Sequence, residues 1–194
     1  MTVVCIATGP SLVHEDVDAC RGQFVVTVND AYRLAPWADA MYACDQKWWN
    51  WQHVYHPQAL EAFDGARYSL QPTRVDGVWS FKNAGTTGLS LDKDALKTGR
   101  NSGYQAINLA VHLGARRIVL LGFDMSLGRG GKAHYFGDHP DGRQPPLCMF
   151  RRHFRTIVEP LKKAGVEVLN CSRRSALTMF PKVPLAHALM RRAA

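Results

Sequence analysis

The sequence predicts one α/β domain spanning residues 1–194: a Rossmann-like, doubly wound, mostly parallel sheet with helices on both faces. Three observations lead there. Short, continuously apolar runs recur along the chain, and most end in Gly, Asn or Asp. A run that is apolar at every position suits a strand buried on both faces. Between the runs, apolar residues fall at three- and four-residue spacing, the period of a helix packed on one side. Strands alternating with helices build parallel sheets, because each parallel pair needs a right-handed crossover.

The elements follow in order. Val3 to Ala7 is the first strand, ended by Thr8-Gly-Pro-Ser11. Phe24 to Val28 is the second, ended by Asn29-Asp30. Asp39 to Cys44 is the third, ended by Asp45-Gln46. Gln46 to Phe63 reads as a helix broken near Pro57, since a proline interrupts the helical hydrogen bonds. Residues 65–100 carry repeated glycines and Pro72, which predicts irregular structure or short strands. Ser102 to Leu113 is helical, with Tyr104, Ile107, Ala110 and Val111 on its stripe and Gly114 as its stop. Arg117 to Leu121 is a strand followed by Gly122-Phe-Asp124. Residues 126–146, rich in Gly, Pro, Asp and His, form a long loop or lid. Leu147 to Leu161 is a helix that Pro160 should kink or shorten. Val166 to Leu169 is the last strand, ended by Asn170-Cys-Ser172.

Composition narrows the function. At 194 residues and 46% hydrophobic the chain can bury a substantial core. No apolar run approaches the roughly 20 residues that a spanning helix needs. The first residues lack the basic start of a secretory signal, so a cytoplasmic protein is expected. The five cysteines are odd in number with no C-x-x-C pair, which predicts reduced core residues and no metal centre. Lys and Arg number 24 against 16 Asp and Glu, a net charge of +8 that favours an anionic partner.

In an open α/β sheet, ligands bind beyond the carboxyl ends of the strands. The candidates therefore sit in the turns just named. Gly9-Pro10-Ser11 suits either a phosphate loop or a structural turn; it is neither the dinucleotide fingerprint nor a Walker A motif. Arg100-Asn101-Ser102-Gly103 opens the clearest helix, where free amides and an arginine suit an anion, and plain capping by Asn101 or Ser102 is the alternative. His134 in the long loop suits a proton acceptor near neutral pH. His139, Asp138 and Asp141 lie near it without a standard metal spacing. Trp48, Trp49, Trp51 and Tyr55 suit packing against the sheet, or a platform on which a sugar or base stacks.

Taken in order, Gly9-Pro-Ser-Leu12, Val28-Asn29-Asp30, Arg100-Asn-Ser-Gly103, Ile118-Val-Leu-Leu-Gly-Phe-Asp124, His134-Tyr135, and Asn170-Cys-Ser172 with Ser175-Ala-Leu177 resemble the bacterial sialyltransferases of the Campylobacter type. They also resemble the wider superfamily of small phage and bacterial proteins related to them. The resemblance implies a CMP-activated sugar as donor substrate, with no further cofactor and no metal. It implies that Gly9, Pro10 and Ser11 lie along the nucleotide and that Asn29 and Asp30 stand by the donor. Ser102, Gly103, Asp124 and Ser172 would shape the donor pocket. It implies His134 as the base, with Arg100 in the catalytic set. Asp45, Trp48 and Trp49 are expected on the acceptor side. The acceptor would be a hydroxyl of a glycan or of modified DNA, and a homo-oligomer is left open. The chain departs from that family in having Thr8 where the family has Asn. It also has Met125-Ser126 where the family has tyrosines that hold the departing phosphate.

Two other readings stay open. A sister branch, the pterin pyrophosphokinases, implies magnesium and a carboxylate cluster, for which Asp30, Asp45 and Asp124 are the candidates. A non-catalytic phage-type protein that binds nucleotide or nucleic acid would need only the fold and the charge.

Overall fold

The computed structural model describes residues 1–137 and 145–190. A seven-stranded sheet runs through it. Its strands are β1 (Thr2–Ile6), β2 (Phe24–Val28), β3 (Ala40–Tyr42), β4 (Ala66–Ser69), β5 (Val78–Ser80), β8 (Arg117–Leu121) and β9 (Glu167–Asn170). A separate pair, β6 (Lys82–Asn83) and β7 (Ala95–Leu96), lies between β5 and β8 in the chain. The order across the large sheet is β5-β4-β3-β2-β1-β8-β9, and every neighbouring pair is parallel.

The apolar runs explain the layers. Side chains alternate across a strand, so a strand apolar at every position feeds two cores. Val3 and Cys5 point into one, Val4 and Ile6 into the other; Ile118 and Leu120 pair with the first, Val119 and Leu121 with the second. All eight are at most 1% exposed. Helices α4 (Ser102–His112) and α5 (Leu147–Lys163) cover the first face through Tyr104, Ile107, Phe154 and Ile157. The second face is covered by α1 (His14–Asp18), α2 (Gln46–Tyr55), α3 (Pro57–Glu61) and α6 (Leu185–Leu189), through Val17, Trp49, Leu60 and Ala188. The doubly wound α/β class predicted from the sequence is the one observed.

Residues 65–100 contain the short strands expected there, and β4 and β5 extend the parallel sheet. One difference has a physical reason. Helix α5 does not stop at Pro160 but continues to Lys163. Its apolar stripe, with Phe154, Ile157 and Leu161 buried, holds the last turn on the sheet despite the missing N–H.

The chain leaves β1 in one direction to build β2 to β5, then returns to lay β8 on the other side of β1. The carboxyl ends of β1 and β8 therefore flank the topological switch point, where the two halves of the sheet diverge and leave a crevice.

Candidate functional site

A cleft of about 360 Å³ opens at that crevice. This lies within the range of small-molecule sites, about 300–1,000 Å³. Ala7 to Pro10 from the end of β1, Val28 and Asn29 from β2, and Asp45 after β3 line one part of it. Arg100 to Gly103 at the start of α4 and Gly122, Asp124, Met125 and Ser126 after β8 line another. Ala133, His134, Pro145, Pro146, Leu147 and Phe150 complete the wall. Three non-glycine residues of the described chain hold positive φ: Asn29 at 49°, Arg100 at 55° and Met125 at 48°. All three line this cleft. Left-handed backbone at such residues costs energy that the surrounding structure must offset, and it gathers at functional sites.

The turn after β1 is locked inward. Gly9 donates its N–H to the Gly122 carbonyl at 2.8 Å. A Cβ on Gly9 would fall 2.4 Å from that oxygen and 2.5 Å from Asp124 Oδ1, so only glycine fits there. Pro10 has no N–H. Ser11 donates both its N–H and its hydroxyl to the Asp124 carboxylate, each at 2.8 Å. Asp124 is 1% exposed, and burial raises its pKa above the usual aspartate value, against the lowering effect of the two Ser11 hydrogen bonds. Ser11 and Asp124 therefore fasten the β1 and β8 turns to each other. Asp124 also lines the cleft; Ser11 does not.

The start of α4 differs. Asn101 is its N-cap, and its side chain accepts the Tyr104 N–H at 3.2 Å. The Gln105 N–H goes to the Asn101 carbonyl. The Ser102 and Gly103 amides have no hydrogen-bond acceptor among the described residues. They line the cleft, and the exposed Arg100 beside them forms no ion pair among the described residues. Capping by Asn101 leaves these two amides open, because one cap satisfies only one of a helix's first amides.

His134 lines the cleft beside the turn that follows β1. Its Nδ1 is 2.8 Å from the Thr8 hydroxyl, and its ring stacks on Phe136 with centroids 5.0 Å apart. The next residue, Tyr135, donates its N–H to the Thr8 carbonyl and its hydroxyl to the Asp30 carbonyl. Thr8 thus anchors the loop through both side chain and main chain. His139, Asp138 and Asp141 lie outside the described residues.

Besides Ser11, four sequence candidates lie off the cleft lining. The Asp30 carboxylate takes Trp48 Nε1 at 2.9 Å, Gln52 Nε2 at 3.1 Å and Arg33 at 3.0 Å, which pins α2 to the sheet. Trp49 is fully buried and donates its indole N–H to the Ala43 carbonyl. Trp48 packs edge-on against Tyr32 and Trp49. Only Trp51 and Tyr55 of this cluster are exposed, with ring centroids 4.1 Å apart. The Ser172 hydroxyl accepts the Phe123 N–H at 2.8 Å, clamping the β8 turn from the β9 side. The three carboxylates considered for magnesium do not gather: Asp30 belongs to the α2 network, Asp124 to Ser11, and Asp45 is exposed at the rim. No group of three or more His, Cys, Asp or Glu among the described residues is placed to hold a metal ion.

Met125, Phe150 and Pro145–Leu147 are lining residues that the sequence reading did not single out. Phe150 was legible as the first member of the α5 apolar stripe, although nothing marked its half-buried ring as a cleft wall. No helix in the described residues is long and apolar enough to cross a membrane.

No protein-family model and no curated protein matches the sequence. Among solved structures, the chain is similar to the sialyltransferase CstII from Campylobacter jejuni in complex with a substrate analogue, cytidine 5'-monophosphate. The two share 15% identity with a TM-score of 0.53, over 95% of this chain and 85% of that one. At that identity the likeness is one of fold, and it extends over nearly the whole chain.

Proposed function

We propose that the cleft binds a nucleotide-activated sugar, a cytidine nucleotide by preference, and transfers the sugar to an acceptor hydroxyl. One observation carries the reading: two amides without an acceptor among the described residues, an exposed arginine and a histidine converge on a single cleft at the switch point. The resemblance of the ordered motifs and the fold shared with a CMP-bound sialyltransferase support the choice of donor.

The chemistry follows from these groups. The donor's phosphate meets the Ser102 and Gly103 amides, the positive end of the α4 dipole and the Arg100 guanidinium. In the family that the motifs resemble, tyrosines at the positions of Met125-Ser126 do this work. As the bond between the anomeric carbon and the phosphate oxygen breaks, its electron pair leaves with the nucleotide phosphate. The acceptor oxygen bonds to the anomeric carbon, and its proton passes to the His134 imidazole. Thr8 and Phe136 fix that ring in place. A positioned base contributes roughly 10² to 10⁴ in rate.

The test is a thermal-shift screen against CMP, UDP, GDP, ADP and ATP, with and without magnesium, followed by turnover of the matching nucleotide sugar. A ligand at 100 times its Kd adds about 2.7 kcal/mol of stability, a clear melting shift. Stabilisation by CMP without metal is expected. His134→Ala should keep that shift and lose transfer by about 10² to 10⁴. Strict magnesium dependence with ATP preference would contradict the proposal.

A further inference from the structure

Charge is divided across this molecule along the line of the cleft. Residues 1–96 contain 7 Lys and Arg against 11 Asp and Glu; residues 97–194 contain 17 against 5. The first set builds β1 to β7 and the second builds α4, β8, α5 and β9, so the boundary falls between β1 and β8. The acidic residues described in the basic half do little to offset it. Asp124 is buried on Ser11, Glu167 pairs with Arg117, and Glu159 is the one exposed carboxylate on the outward face of α5.

Helix α5 concentrates this charge. Its 17 residues bury Phe154, Ile157 and Leu161, and the opposite side presents Arg152, Arg155, Lys162 and Lys163 to solvent. At 1.5 Å per residue, the stripe from Arg152 to Lys163 is roughly 16 Å long. Its first turn is part of the cleft wall, through Leu147 and Phe150. Arg151 bonds the Met125 carbonyl at that wall. Arg100 stands on the same mouth.

We propose that the outward face of α5 is a nucleic-acid docking surface that leads a phosphate backbone to the cleft. Double-stranded DNA carries one negative charge per roughly 1.7 Å of axis, so a stripe of this length faces several phosphates at once. Arginine dominates the end nearest the cleft, and its planar fork matches phosphate oxygens. The surface stands without the transfer reading. Resting on that reading, it names the acceptor as a hydroxyl on nucleic acid.

The test is fluorescence anisotropy of fluorescein-labelled 20-base DNA, single-stranded and duplex, titrated with the full-length protein from 50 to 200 mM salt. The variants are Arg152→Glu/Arg155→Glu and a matched pair of equal charge change on the acidic half, Arg74→Glu/Lys82→Glu. All four positions are exposed. The expected result is micromolar DNA binding, weakened tenfold or more by the α5 pair. The slope of log affinity against log salt should fall by about two for that pair. The matched pair should stay within about threefold of the parent. Equal loss in both pairs would show unlocalised charge and overturn the proposal. So would binding of heparin with none of DNA at 50 mM salt. Anisotropy reads DNA binding with no nucleotide donor present, so failure of the transfer reading leaves this result intact.

Discussion

Two turns at the carboxyl edge of the sheet look alike in sequence and differ in structure. Gly9-Pro10-Ser11 and Arg100-Asn101-Ser102-Gly103 each combine glycine with serine beside a helix. The first spends its donors internally: Gly9 N–H on Gly122, and Ser11 N–H and hydroxyl on Asp124. The second keeps two amides and a guanidinium open to the cleft. A Gly-Ser turn becomes an anion site only when no neighbouring carboxylate claims its donors. Here Asp124 claims those of the first turn and none of the second.

Substitutions can separate the two roles. The largest expected effect is on stability. In Gly9→Ala the new Cβ meets Gly122 and Asp124 inside contact distance. Overpacking of this kind costs about 3 kcal/mol, or roughly 6–12 °C in Tm for a chain of this size, which calorimetry would read. Next is Ser11→Ala, which takes a hydrogen bond from the buried Asp124. It should cost about 1–3 kcal/mol in denaturant unfolding and leave the Kd for CMP within about twofold. Arg100→Ala should do the reverse. Tm should hold, while isothermal titration should show CMP affinity falling about tenfold, equivalent to about 1.4 kcal/mol. Parallel losses of affinity in Ser11→Ala and Arg100→Ala would erase the distinction.

The smallest effect is pH-dependent. Burial raises the Asp124 pKa above its unfolded value near 3.8. Its contribution to stability is therefore full below pH 3.8 and is lost as pH rises through the raised folded value. Asp124→Asn removes that titration. Its stability relative to the parent should therefore improve as pH rises from about 4, in urea melts across the acid range. A flat difference would mean that the Ser11 hydrogen bonds cancel the cost of burial.

The sheet was legible where strands are apolar throughout. Val3 to Ala7 and Arg117 to Leu121 announce themselves because both faces are covered. Strands β4 and β5 do not: Val78–Ser80 forms the edge and Ala66–Ser69 lies next to it, most of their residues are at least partly exposed, and neither carries a continuous apolar run. The strand-end rule located the cleft, since Gly9, Asn29, Asp45 and Asp124 all follow strands and all line it. What the sequence hides is how each polar side chain is spent. Ser11 and Asp124 are 113 residues apart, and Ser172 reaches the Phe123 amide across 49. No local pattern encodes a pairing of that span. Trp48 and Trp49 show the same limit: their spacing fits a stacking platform equally well, but Asp30 and the Ala43 carbonyl draw them into the core.

The central claim is that the α4 terminus, not the β1 turn, receives the donor's phosphate. A crystal structure of the CMP complex tests it most directly. The account predicts phosphate oxygens about 2.9 Å from the Ser102 and Gly103 amide nitrogens, with the Ser11–Asp124 bonds unbroken. A phosphate seated on Gly9–Ser11 with those bonds opened, or CMP bound away from the cleft, would contradict it.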